Sequence, residues 1–171
     1  MKALYVFVAA ALTSFSHPLI AQTPTKPAWP EACGEIRARV PVDLDATQHR
    51  ALPPETGSAR IFFIFDYGSA PAWSYPFLRV GIDGQWAGGL AKNSWFATSV
   101  EPGERHLCVA AKEYVVGLSH LKVEAGKTYY YQIRALTNGA FLFYIGPDLV
   151  DSDEANYLIE SYPQTTPHPK K

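Results

Sequence analysis

Apolar and polar residues alternate along this chain in short runs, and most runs stop at a recognisable turn. Phe77–Asp83 (FLRVGID) alternates and then meets Asp83-Gly84. Asp-Gly between two apolar alternating runs predicts a type I′ hairpin, because that turn needs positive φ at both central residues. Gln85–Leu90 is the returning strand, and Gly88-Gly89 within it permits a bulge or a close backbone approach. Ser94–Val100 (SWFATSV) reads as the next strand. Glu101-Pro102-Gly103-Glu104 then supplies Pro and Gly at the two central positions of a type II turn, and Arg105–Lys112 (RHLCVAAK) leaves it as another strand.

The flanking segments follow the same grammar. Arg60–Tyr67 (RIFFIFDY) is apolar at successive positions, so it predicts a central strand covered on both faces. Ile36–Leu44 alternates only weakly, and Pro41 confines it to a sheet edge or breaks it. Pro53–Ser58 and Gly68–Pro76 are loops, the second carrying Trp73 and Tyr75. Gly117–Val123 is a strand, Glu124–Lys127 a turn with Gly at its third position, and Thr128–Leu136 the strand that follows. Asn138-Gly139 marks a second hairpin, whose return strand Phe141–Ile145 is stopped by Gly146-Pro147.

One helix is predicted, over Ser152–Tyr162. Asp151 caps it, Glu154 sits three residues on as in a capping box, and Pro163 ends it. Ala155, Leu158, Ile159 and Tyr162 share the face that such spacing turns toward a core. Together these elements predict a mainly β fold: an antiparallel β-sandwich or open barrel of about 7–8 strands with one C-terminal helix packed on it.

Composition narrows the setting. The 171 residues carry a formal net charge of −1, and only 18% are charged, so no electrostatic footprint for nucleic acid exists. Aromatic residues reach 13%, which with the Gly and Pro punctuation favours sheet over helix. Met1–Ala21 reads as a secretory signal peptide: Lys2 is the charged start, and Ala3–Phe15 is an apolar run too short for an ordinary membrane span. Cleavage after Ala21 is expected, with Ser16 the weaker option and an uncleaved anchor the rival reading. No membrane span is expected after cleavage. Residues 22–32 form a Pro-rich lead-in, residues 33–163 a single β-rich domain, and residues 164–171 a polar tail expected to be disordered. Export places the protein in the periplasm or outside the cell. Two cysteines in an exported chain predict one disulfide, Cys33–Cys108, against the alternatives of two buried thiols or a redox pair.

Candidate chemistry is sparse. Trp73, Trp86 and Trp95 lie in loops or on alternating strands, and flat aromatic side chains on one sheet face stack on sugar rings or anchor a protein partner. The competing reading fills the core with them. Tyr129, Tyr130 and Tyr131 cannot all face one way, so Tyr130 joins the candidate surface unless the helix covers it. These four residues, Trp73, Trp86, Trp95 and Tyr130, are the candidate binding surface. His49, His106, His120 and His168 lack H-x-H or H-E-x-x-H spacing, although His106 and His120 can meet across neighbouring strands. Asp151, Asp153 and Glu154 suit calcium, but helix capping explains them without an ion. No nucleophile elbow, phosphate-binding Gly loop or S-x-x-K motif is present, so no catalytic residue, metal ligand or cofactor is assigned.

Several stretches carry a resemblance. VGIDGQWAGG, NSWF, VEPGERHLC, VEAGKTYYYQIR and VDSDEANYLI resemble a bacterial family known as domain of unknown function 2846, closest to its secreted branch, over roughly Cys33 to Tyr162. In that branch a Cys-Gly pair near the mature N-terminus accompanies the PGE-H-LC segment. The resemblance implies a small extracytoplasmic β-domain and carries no catalytic residue. Arg105 departs from the pattern, where a second His is expected beside His106, and this weakens any metal reading of that spot. The function expected is a non-catalytic module that presents an edge or aromatic surface to an envelope protein. Glycan or cell-wall binding through the same aromatics is the first alternative, and a hydrolase using His106 or His120 with a carboxylate is the second.

Overall fold

A computed structural model describes residues 28–45, 53–68, 77–112, 115–137 and 142–166. The expected signal peptide, Trp73, the expected Asn138-Gly139 turn and the end of the tail lie outside the described residues. Ten strands and one helix appear in the order β1 (Leu44–Asp45), β2 (Ala59–Asp66), β3 (Phe77–Ile82), β4 (Gln85–Ala91), β5 (Ser94–Val100), β6 (Gly103–Lys112), β7 (Val115–Val123), β8 (Thr128–Thr137), β9 (Leu142–Val150), α1 (Ser152–Ser161) and β10 (Gln164–Thr165). They form a six-stranded sheet, β1-β10-β5-β2-β8-β9, facing a four-stranded sheet, β4-β3-β6-β7. The sheets do not close into a barrel; the fold is a sandwich.

The main core lies between the sheets. Ile61, Phe63 and Phe65 of β2, Leu78 and Val80 of β3, Phe96 of β5, Leu107 and Val109 of β6, and Tyr131 and Ile133 of β8 all point into it. Each such aliphatic or aromatic side chain removed from water contributes about 1.5–3 kcal/mol, so this layer dominates the fold's stability. The other face of β2 is also covered. Phe62 and Ile64 pack with Trp95 and Ala97 against Ala155 and Leu158 of α1. The run of apolar residues in β2 is therefore a central strand with two buried faces, as its lack of alternation predicts.

The turns follow their sequences. Asp83 and Gly84 have φ of 49° and 81°, the pair of positive values a type I′ hairpin demands. The carboxylate of Asp151 accepts hydrogen bonds from the backbone N–H groups of Asp153 and Glu154, each at 2.9 Å, and caps α1. Glu154 turns its own carboxylate toward Arg134, 3.1 Å away.

Three expectations need correction. The sandwich is not wholly antiparallel: β2 pairs with β8 in parallel, as β10 does with β5. Between β2 and β8 the chain builds all four strands of the opposite sheet and places β5 on one side of β2, before β8 returns along β2's other side. The tail does not begin at Gln164, because Gln164 and Thr165 insert as β10 between β1 and β5. Thr165 is buried, and its hydroxyl donates to the carbonyl oxygen of Gly89 at 3.0 Å. Gly146-Pro147 does not stop its strand. β9 is an edge strand and runs on to Val150, and an edge tolerates a residue without an N–H. Ile36–Leu44, by contrast, is broken as a strand, one of the two outcomes its Pro41 allows, and only Leu44 pairs, within the edge strand β1.

That last segment has another task. Residues 28–43 cross the outer face of the four-stranded sheet as a strap, pinned by a disulfide between Cys33 and Cys108 with Cα atoms 5.1 Å apart. Both sulfur-bearing residues are buried, and Trp29, Ala32, Trp86 and Val116 pack around them. The strap then rounds the sheet edge into β1 and closes on the six-stranded sheet, where the Thr166 N–H donates to Asp43 O at 2.9 Å. No helix among the described residues is long and apolar enough to cross a membrane.

Candidate functional site

The predicted aromatic surface separates into different places. Trp95 is only 2% exposed and belongs to the core beneath α1. Its indole N–H donates to the carbonyl oxygens of Ile159 and Tyr162, at 3.1 and 3.0 Å, satisfying the open C-terminal end of the helix. Tyr130 lies half-buried beside it, its ring 5.0 Å from that of Phe62. Trp95 is thus corrected from surface to core, and Tyr130 lies on the face that the helix covers. The physical reason is the same for both: β5 and β8 flank β2, so their outward side chains fall under the one helix.

Trp86 does reach the outer face of the other sheet. The β3–β4 register shifts between Val80 and Gly81: Val80 pairs with Gly88 but Gly81 pairs with Trp86, leaving Ala87 without a partner. One extra residue reverses the alternation, so Ala87 stays against the main core while Trp86 turns outward. There it meets the strap. Its indole N–H donates to Glu35 O at 2.9 Å, and its ring lies against Gly34 so closely that a Cβ would stand 2.5 Å from the ring. Arg79 completes the hub. Its guanidinium carbon sits 4.5 Å from the Trp86 ring centroid, and Nη1 donates to Ile36 O and Ala38 O at 2.9 and 3.2 Å. Trp29 closes the cluster, tilted 60° to Trp86. This pair is not coplanar and is engaged with the protein's own backbone, so it offers no flat platform for a sugar ring.

Beyond the hub the strap leaves a shallow groove of about 550 Å³, lined by Val40, Pro41, Phe77 and Ala111 together with Arg39 and Arg79. Phe77 is 55% exposed. Sequence reasoning passed over it, although the signal was legible: alternation in β3 puts Leu78, Val80 and Ile82 inward and Phe77 outward with Arg79.

The outer face of β6 and β7 carries a second constellation. His106 stands directly across from His120, with ring centroids 4.3 Å apart and planes at 65°. Both are exposed. Asp83 accepts a hydrogen bond from the backbone N–H of His106 at 2.8 Å and pairs with Arg105 at 3.0 Å, so its carboxylate meets the strand rather than the imidazole. Leu118, 53% exposed, lies two residues along the same face.

A third constellation ties α1 to the sheet. The Tyr162 hydroxyl donates to Asp66 at 3.0 Å, and the Gln132 side-chain amide donates to the other Asp66 oxygen at 3.1 Å. Arg134 donates from Nε to Gln132 at 2.9 Å and reaches Glu154. Burial pushes the Tyr162 hydroxyl up to about 12, and its bond to Asp66 adds to the shift. Every member of this chain of groups is occupied with another, which is the arrangement of a structural fastening. Comparison of the sequence with protein-family models gives no match, and a search of the curated proteins gives none either.

Proposed function

We propose that the protein is an exported, non-catalytic β-sandwich module of the bacterial envelope that docks on another envelope protein through the groove beside Phe77. The observation that carries this reading is an aromatic side chain left 55% exposed in the lining of a shallow groove that combines apolar side chains with Arg39 and Arg79. Half-exposed aromatics in concave settings are the usual anchors of protein interfaces. The strap also lines the groove, and the Cys33–Cys108 disulfide holds it in place, so the surface is preorganised. Arg39 is exposed in that lining and favours a partner segment that places an apolar side chain next to a carboxylate. The signal-peptide reading of Met1–Ala21, the disulfide and the resemblance to domain of unknown function 2846 support placement outside the cytoplasm.

Cross-linking capture of the tagged protein from its native envelope tests the reading. One recurrent protein partner is expected, lost in Phe77→Ser and weakened in Arg39→Glu, with melting temperature unchanged in both. Capture that is indifferent to Phe77 overturns the groove. Recovery of cell-wall material alone moves the function to glycan binding.

A further inference from the structure

The strand register builds a metal chelate that neither local spacing nor the groove suggests. β6 and β7 pair antiparallel with His106 opposite His120. Directly opposed residues on one sheet face hold their Cβ atoms about 4.5–5.5 Å apart, close enough for both imidazoles to aim a nitrogen at one point. The rings already stand 4.3 Å apart with their planes at 65°. Both side chains are exposed and free to make the small rotation that converges the two nitrogens.

The surroundings define what fits. Along the same face Glu104 stands opposite Lys122 on one side of the pair, and Cys108 opposite Leu118 on the other. Cys108 is committed to the disulfide, so no thiolate competes for the ion. Asp83 is held by the His106 backbone N–H and by Arg105, which leaves the donor set as two neutral nitrogens. Among the described residues no group of three or more ligating side chains gathers, so a closed structural site is not available there. Two imidazoles with the remaining positions open to water suit a borderline first-row dication, and copper(II) heads that order of affinity.

We infer that His106 and His120 form an open, two-imidazole site for a first-row transition-metal dication, copper(II) foremost. The missing histidine at position 105 does not bear on this site, because neighbouring residues on a strand point to opposite faces while the cross-strand partner shares one.

The test is a titration of the purified, disulfide-bonded protein with copper(II), followed by calorimetry and electron paramagnetic resonance. One equivalent is expected to bind with the signature of two imidazole nitrogens. His106→Gln and His120→Gln each lose one nitrogen and weaken binding by at least about tenfold, and the double variant loses the site. A readout on the unmutated chain accompanies these: bound copper(II) protects His106 and His120 together from acylation by diethylpyrocarbonate, measured by mass spectrometry. Binding unchanged in the double variant overturns the inference. So does acylation of the two histidines at the same rate with and without the metal.

Discussion

Arg79 and Trp86 face each other on the outer side of the four-stranded sheet, the guanidinium carbon 4.5 Å from the indole centroid. That contact is internal to the fold, although Arg79 also lines the groove beside Phe77. Each side chain also hydrogen-bonds the strap's backbone, Arg79 to Ile36 O and Ala38 O and Trp86 to Glu35 O. The pair is therefore the clamp that converts residues 28–43 from a lead-in into a fixed layer of the fold.

Removing that clamp has a defined cost. Arg79→Ala deletes the cation–π contact and two charged hydrogen bonds, and is expected to destabilise the protein by about 2–3 kcal/mol in urea unfolding. Arg79→Lys keeps the charge but not the planar fork, and falls between. Hydrogen exchange in the strap should accelerate more than exchange in β2. Equal acceleration throughout would mean that the clamp supports the whole fold rather than the strap.

The disulfide closes a loop across a sequence separation of 75 residues. Chain entropy then assigns it up to about 4.5 kcal/mol, less whatever structure the unfolded chain retains. The double replacement Cys33→Ala with Cys108→Ala should lower the urea midpoint accordingly, and reductant should have no further effect on that variant. A midpoint unchanged by the replacement would show that the Trp29–Trp86–Arg79 cluster holds the strap unaided.

Gly117 marks the contact between the two sheets at the β7–β9 edge. A Cβ there would run into the backbone carbonyl of Ile145 and the Cα of Gly146, neither of which has a flexible end to move. Gly117→Ala should cost at the upper end of ~1–3 kcal/mol or more, read as a lower melting temperature and poor soluble yield. Gly117→Ala with wild-type stability would refute the close approach.

Tyr162 sets an alkaline limit. Its hydroxyl is raised to about 12 in the folded protein from an ordinary value of 10.0. The folded state therefore keeps this proton where the unfolded chain has lost it. That contribution to stability is complete below pH 10 and is lost as pH climbs toward 12. Tyr162→Phe has no proton to lose, so its stability should decline less steeply than wild type between pH 10 and 12 in denaturant titrations. Parallel slopes would place the alkaline sensitivity elsewhere, with Tyr131, raised by its own burial, the next residue to replace.

Local pattern alone determined most of the elements. Asp83-Gly84 specifies its turn because few other residues accept φ of 49° and 81° in succession. The unbroken apolar run of β2 specifies a strand buried on both sides, and Asp151 with the spacing of Ala155 and Leu158 specifies α1. The two cysteines have one intramolecular pairing available. These features depend on residues near one another in sequence, or on a choice with a single answer.

Tertiary structure decided what sequence pattern leaves open, namely which side chains share a face across strands. A one-residue shift opposite Gly81 moved Trp86 from the core side to the outer side, and nothing in QWAGG states where that shift falls. Trp95 became interior and Tyr130 half-buried because their strands flank β2 under a single helix, a matter of strand order. Gln164 and Thr165, polar and next to a proline, became a strand by pairing with β1 on one side and with Trp95 of β5 on the other. His106 and His120 lie fourteen positions apart in sequence, a spacing that matches no ligand motif, and come together only through the β6–β7 register. Backbone preferences act over a few residues and are written locally; register and strand order are set by the packing of the whole core, so the candidate sites they create appear only in the folded chain.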